Sequence, residues 1–153
     1  MQVQGLEAAL ETFLAYSPQP CLLLASVDVA RLDVTVEALQ TTYDWPLFAV
    51  GRELSPVLWA EAVTRRGNRA ARWLEHTVRT QVSGPVLVTG IALLFEPALQ
   101  LDPLALLCRV GRYVPLIVAW PGTYDGDLLT YAVPEHAHYR VWRKPAALVV
   151  PLD

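Results

Sequence analysis

Lysine is nearly absent from this chain of 153 residues: eleven of its twelve basic residues are arginine, and Lys144 is the one lysine. Any mechanism that needs a lysine early in the chain is thereby excluded. Glycine is thin in the same region, with none between Gly5 and Gly51. The two cysteines, Cys21 and Cys108, sit in the apolar runs Pro20 to Leu24 and Leu104 to Cys108. Two such residues in a chain of this size make neither a disulfide framework nor a metal cage, and they read as buried thiols of a reducing cytoplasm. No basic residue precedes Arg31, so the positive start of a secretory signal is missing, and no apolar run approaches the ~18 residues of a membrane span. The expectation is a cytoplasmic protein without a membrane partner.

What the chain does have is apolar bulk. At 54% apolar and 18% charged residues it suits one compact domain, not a disordered chain. Its net charge of −3 hides a polarity along the sequence. Residues 1–64 hold eight acids and two arginines, whereas residues 65–79 hold five arginines and one glutamate.

Residues 3–16 place Leu6, Leu10, Phe13 and Leu14 at helical spacing around Glu7 and Glu11, which predicts an amphipathic helix ending before the turn Ser17-Pro18-Gln19-Pro20. Cys21 to Ala25 is a continuous apolar run between breakers and predicts a strand buried on both faces. Pro46 to Val50, Val86 to Thr89 and Leu116 to Trp120 read in the same way. Between them lie helix-compatible segments at 30–41, at 53–82 with a break near Gly67-Asn68, and at 102–112 with Asp102 as N-cap and Pro103 in first position. Leu128 to Ala132, Tyr139 to Trp142 and Ala147 to Val150 supply further extended pieces. Strands alternating with helices predict an α/β domain: a mostly parallel sheet of about four or five strands with helices on both faces. The whole of 1–153 reads as a single domain, residues 1–20 forming the N-terminal helix and proline-rich turn and 21–150 the α/β core.

A buried first strand in such a domain raises the phosphate-binding loop, which needs glycines so that backbone N–H groups approach the phosphates, then a lysine and a Ser/Thr hydroxyl. Here the strand is followed by Ser26, Val27, Asp28, Val29, Ala30, Arg31, Leu32 and Asp33, without glycine or lysine. Asp28 and Asp33 place negative charge where a triphosphate would sit. The metal-holding acid that ends the third strand in such sites is replaced by Thr89-Gly90. None of Ser17, Ser26, Ser55 and Ser83 stands in a G-x-S-x-G elbow, and neither cysteine has a polar, activating context. Asp125, Asp127, His136 and His138 allow a metal site to be drawn, against the plainer reading of a polar loop followed by a strand, because spacing fixes no third ligand.

Arg65, Arg69 and Arg72 follow i, i+4, i+7 and would form one stripe on a continuous helix, with Arg66 and Arg79 nearby. Three readings stand: a solvated face balancing the acidic first half, a docking surface for an acidic protein, and a contact to DNA phosphates. Of the five tryptophans, Trp120 ends a strand and reads as core. Trp45, Trp59, Trp73 and Trp142, with Tyr124, have polar or turn neighbours and are either interface anchors or edge-of-core residues.

Three strings in residues 47–145 carry a resemblance: Gly51-Arg52-Glu53-Leu54-Ser55-x-x-Leu58; Ile91-Ala92-Leu93-Leu94-Phe95-Glu96-Pro97-Ala98-Leu99-x-x-Asp102-Pro103-Leu104-x-Leu106-Leu107; and Val118-Ala119-Trp120-Pro121-Gly122-Thr123-Tyr124, continuing through Leu128-Leu129-Thr130-Tyr131-Ala132 to His136, Tyr139 and Arg140. Together they resemble BrxF, the small P-loop-containing component of type 3 BREX phage-defence systems. The ending PGTYDG is also similar to that of BrxB, another small component of these systems.

The resemblance implies a P-loop-like or AAA-like fold and a role in bacterial antiviral defence. It also implies partners: the system's large ATPase, its alkaline-phosphatase-like protein or its DNA methyltransferase. The family is named for a Gly-rich loop with Lys and Thr after the first strand and an acid before the I-x-x-L-F string. This chain departs from both, at Ser26, Asp28, Arg31 and Asp33 and at Thr89-Gly90. The expectation is therefore a non-catalytic adaptor (a pseudo-ATPase without cofactor) that works by protein–protein interaction. The alternatives are a DNA-phosphate-binding module using Arg65, Arg66, Arg69, Arg72 and Arg79, and a metal-dependent enzyme using Asp125, Asp127, His136 and His138. Pro121, Gly122, Tyr124 and Asp125 form the family-like loop.

Overall fold

A computed structural model describes residues 3–16, 20–81 and 84–153; the expected turn residues 17–19 lie outside that range, as does Ser83. In chain order the elements are helix α1 (Val3–Tyr16), strand β1 (Cys21–Ala25), α2 (Val29–Tyr43), β2 (Leu47–Ala49), α3 (Val50–Trp59), α4 (Arg66–Gln81), β3 (Val86–Thr89), α5 (Pro103–Val110), β4 (Leu116–Trp120), β5 (Leu128–Tyr131), β6 (Arg140–Arg143) and β7 (Leu148–Pro151). Short 3-10 turns occupy Val63–Arg65, Ile91–Phe95 and Pro97–Leu99.

Five strands form one all-parallel sheet in the order β2-β3-β4-β1-β7, while β5 and β6 pair antiparallel as a separate hairpin. The continuous apolar runs explain why β1 and β4 lie at the centre: each of their residues is buried, Leu22 and Leu24 on one face and Cys21, Leu23 and Ala25 on the other. The first face, with Leu87 and Ile117, packs on Leu6, Leu10 and Phe13 of α1 and on Leu32, Val36 and Leu39 of α2. The second, with Val88, Val118 and Trp120, packs on Leu54 and Leu58 of α3, Leu74 and Val78 of α4 and Leu107 of α5. The result is a three-layer α/β fold, and full burial of one such leucine is worth about 1.5–3 kcal/mol.

The structure corrects two expectations. The Pro46–Val50 run is not a strand buried on both faces, since β2 is an edge strand of Leu47–Ala49 with Leu47 exposed and Val50 opening α3. The break in the long helical stretch falls at residues 60–65, not at Gly67-Asn68. Pro56 inside α3 lacks the N–H that would bond back along the helix, and α3 ends three residues later. Gly67 instead lies in the first turn of α4, where a Cβ would come within 2.1 Å of the Leu99 carbonyl oxygen. Its value is close approach, not helix breaking. At α5 the expected cap is present, Asp102 accepting from the Ala105 N–H at 3.1 Å.

The hairpin is held over the second face by aromatic rings. Phe95 and Tyr131 stack with centroids 3.5 Å apart, and Trp120 meets Phe95 and Trp142 edge-on at 5.4 Å each. Arg140 donates to the Leu101 carbonyl at 2.7 Å and Trp142 Nε1 to Asp102 at 3.2 Å. The second and third resemblance strings are thus in direct contact.

Candidate functional site

In open parallel sheets, ligands bind beyond the carboxyl ends of the strands where the strand order reverses. Here that place is the β1–α2 connection, since β1 lies between β4 and β7. It is filled by the chain itself. Ser26 is fully buried; its N–H donates to the Trp120 carbonyl at 3.1 Å and its own carbonyl accepts from the Gly122 N–H at 3.1 Å. Its hydroxyl donates to Oδ1 of Asp153 at 2.9 Å and accepts from the Asp28 N–H at 3.0 Å. Arg31 donates to the same Asp153 oxygen at 3.0 Å and to the Leu152 carbonyl at 3.1 Å. Asp28 caps α2 through the Arg31 N–H at 3.2 Å, and Asp33 is exposed on that helix.

The Ser26 hydroxyl and the Arg31 guanidinium are both engaged at this spot, each bonded to the carboxylate of Asp153. A cavity of about 460 Å³ does open between α1 and α2, with Asp28 and Arg31 among its lining residues. Most of its wall comes from side chains such as Leu6, Val34, Ala38 and Leu39. At the second diagnostic position Thr89 ends β3, and Gly90 takes φ +63°, its carbonyl accepting from the Gly51 N–H at 2.9 Å. That left-handed residue turns the chain into the 91–95 segment and leaves no carboxylate at the strand end.

The four residues of the drawn metal site are not brought together. Asp125 accepts from the N–H groups of Asp127 and Leu128 at 2.9 and 2.7 Å, closing its own turn, and these bonds hold its carboxyl below the usual carboxylate range. Asp127 pairs with Arg143 at 3.2 Å. His136 accepts the His138 N–H at Nδ1, and His138 Nε2 lies 3.9 Å from a carboxylate oxygen of Glu96. Among the described residues no group of three or more His, Cys, Asp or Glu side chains is arranged to hold a metal. The hairpin explains the correction: the aspartates belong to the turn before β5 and the histidines to the loop after it. Glu96, which spacing did not single out, shares with His136, His138 and Tyr131 a cleft of about 450 Å³. Burial and the nearby Glu96 charge push the Tyr131 hydroxyl up, so it stays protonated.

The family-like loop is built for structure. Gly122 is buried, and a Cβ there would lie 1.8 Å from the Thr130 carbonyl oxygen; the Trp120 indole donates to that same oxygen at 2.7 Å. Pro121 accepts from the Ala132 N–H at 2.7 Å, and the Tyr124 hydroxyl donates to the Gly126 carbonyl at 3.1 Å.

The arginine cluster changes shape. Arg65 lies in the 3-10 turn before α4, so Arg65, Arg69 and Arg72 do not stand on one continuous α-helix, although all three are exposed. Instead Arg69, Arg72 and Arg79 are exposed on the side of α4 away from its buried Ala70, Leu74 and Val78. None of the five arginines makes an ion pair among the described residues; on α4, Glu75 pairs with Arg109. Two exposed aromatic rings flank the face. Arg66 lies over Trp59, which is 79% exposed, at 5.8 Å, and Arg79 over Tyr113 at 4.4 Å. Trp73, the aromatic within the cluster, packs inward on Phe48. Of the other candidate anchors, Trp45 stacks on Tyr43 at 4.3 Å, Trp142 joins the hairpin cluster and Tyr124 is half-buried. Trp59 is one of the anchors the sequence offered, whereas Tyr113 was not singled out, because it lies 34 positions after Arg79 and is brought back beside it only by the fold.

No helix among the described residues is long and apolar enough to cross a membrane. Comparison with protein-family models, with curated proteins and with solved structures gave no match to this chain.

Proposed function

We propose that this chain is a non-catalytic adaptor with a degenerate P-loop-like fold, serving a BREX-like bacterial defence system through protein–protein contact. The observation that carries the pseudo-ATPase part is the occupied β1–α2 connection. Ser26, Asp153 and Arg31 bond one another where a phosphate-binding loop would present free N–H groups, and lysine and glycine are missing there. The strand order supports the P-loop-like reading, because it puts that connection at the point where the sheet changes direction. The defence assignment rests on the three resemblance strings.

An adaptor needs a surface, and the α4 face supplies one. Exposed tryptophan and arginine dominate interaction hot spots, and the unpaired cations of α4 suit an acidic partner. By resemblance the partner is the system's large ATPase, its phosphatase-like protein or its methyltransferase. The test is co-purification of the tagged chain with each of these proteins, together with calorimetry against ATP and Mg²⁺. Retention of one partner that is lost in the Arg69→Glu, Arg72→Glu double variant is the expected result. Micromolar ATP binding would overturn the pseudo-ATPase reading, and failure to retain any of the three would overturn the adaptor reading.

The exposed, unpaired arginines also favour a second reading, contact with DNA phosphates through the same face. It predicts a log–log salt slope of about −2.7 if three arginines each neutralise a phosphate. A flat titration removes it.

A further inference from the structure

The two cysteines, 87 positions apart in the sequence, meet in the fold. Cys21 opens β1 and is fully buried; Cys108 lies on α5 and is half-buried, and their sulfurs are 3.8 Å apart. Both thiols are free. The contact is seated by backbone packing, since the end of α5 presses on the entry to β1: a Cβ on Gly111 would lie 2.0 Å from the Pro20 carbonyl oxygen. A disulfide needs an S–S distance of about 2.05 Å, so the sulfurs must close by roughly 1.8 Å, within reach of side-chain rotation and a small shift of α5.

We propose that Cys108 and Cys21 form a reactive dithiol whose oxidation by a small hydroperoxide cross-links α5 to β1. The roles follow from position. Cys108 is the sulfur that solvent reaches. Its hydrogen bond with Cys21 holds its thiol below the ordinary range against partial burial and the Asp102 charge, with Arg112 one turn along adding a smaller pull in the same direction. Cys21 accepts no solvent, and its interaction with Cys108 together with burial pushes its thiol up. Cys108 therefore attacks and Cys21 resolves.

In the first step the Cys108 thiolate sulfur attacks one peroxide oxygen. The O–O bond breaks, an alcohol or water leaves with the proton Cys108 had lost, and the sulfur becomes a sulfenic acid, oxidised by two electrons while the peroxide is reduced. In the second step the Cys21 sulfur attacks Cys108 Sγ. The S–S bond forms, the S–O bond breaks, and hydroxide leaves as water with the Cys21 proton. The sum is two thiols and one hydroperoxide going to a disulfide, an alcohol or water, and a further water.

The experiment treats the intact reduced protein with equimolar hydrogen peroxide and, in a parallel arm, with oxidised glutathione. Expected with peroxide are loss of both titratable thiols, a mass lower by two hydrogens, and a Cys21–Cys108 cross-linked peptide on digestion, all reversed by dithiothreitol. Cys108→Ser should lose the reaction, and Cys21→Ala should stop at a dimedone-reactive sulfenic acid on Cys108. Because Cys21 is in the core, the peptide map of the unaltered chain carries the test if that variant fails to fold. Retention of both thiols under peroxide would overturn the proposal, as would oxidation of Cys108→Ser at the wild-type rate. Faster cross-linking by oxidised glutathione than by peroxide, through a glutathione adduct on Cys108, would overturn the choice of oxidant.

Discussion

The Ser26 hydroxyl donates to the Asp153 carboxylate at 2.9 Å, joining residues 127 positions apart. Ser26→Ala removes that donor and leaves the Asp28 N–H without its acceptor. A loss of about 1–2 kcal/mol is expected, read as a lower urea midpoint with an unchanged slope. The Arg31–Asp153 pair, at 3.0 Å but with both side chains more than two-fifths exposed, contributes less, so Arg31→Ala should cost under about 1 kcal/mol. The reverse order of the two variants would refute this account of the connection.

Gly122→Ala tests whether the loop at residues 121–125 is held by packing. The added methyl meets the Thr130 carbonyl and the Trp120 indole nitrogen, neither of which can yield without breaking their own hydrogen bond. A destabilisation of about 3 kcal/mol or more is expected by thermal or urea unfolding. Gly5→Ala, on α1 with nothing within 4 Å of the new Cβ, should instead gain roughly 0.5–1 kcal/mol, since alanine is the better helix former.

Trp59 and Trp120 separate binding from folding. Trp59→Ala should move stability by about 0.5 kcal/mol or less, because its ring faces solvent, and, under the proposed adaptor role, should weaken retention of the partner. Trp120→Ala should cost about 3–5 kcal/mol, since it empties the core beneath the hairpin and leaves the Thr130 carbonyl without its donor. A large loss for Trp59→Ala would place that residue in the core instead.

Acid should loosen the hairpin turn. The Asp125 carboxyl is held below its ordinary range in the folded chain by the N–H groups of Leu128 and Asp127, so the turn's stabilisation is present above the unfolded value. It is lost as pH falls through the folded one, in the region below about pH 4. The amide shifts of Asp127 and Leu128 should follow that titration, and Asp125→Asn should flatten it. Shifts that stay level to the acid limit in the native chain would contradict the turn's dependence on the carboxylate.

Much of the fold was legible in residue order. Cys21–Ala25, Val86–Thr89 and Leu116–Trp120 were readable as strands because an uninterrupted apolar run can be satisfied only by burial on both faces. Asp102 and Pro103 announced the start of α5 because cap and first-turn chemistry is local. The break after Trp59 was misplaced because Gly67 owes its place to the Leu99 backbone, a neighbour 32 positions away. Arg65 falls outside α4 because a 3-10 turn precedes that helix, and the aspartates and histidines stand at opposite ends of β5.

The chain's composition determined, without any coordinates, that lysine and glycine are missing after the first strand, since an absent residue is absent in every fold. What occupies the β1–α2 connection was decided only by the tertiary structure. The sheet order puts β7 against β1, and with it Asp153 against Ser26 and Arg31. Packing of α5 across the opposite face puts Cys108 against Cys21. Local sequence sets propensity and burial; which distant side chains share a hydrogen bond is set by strand order and helix packing.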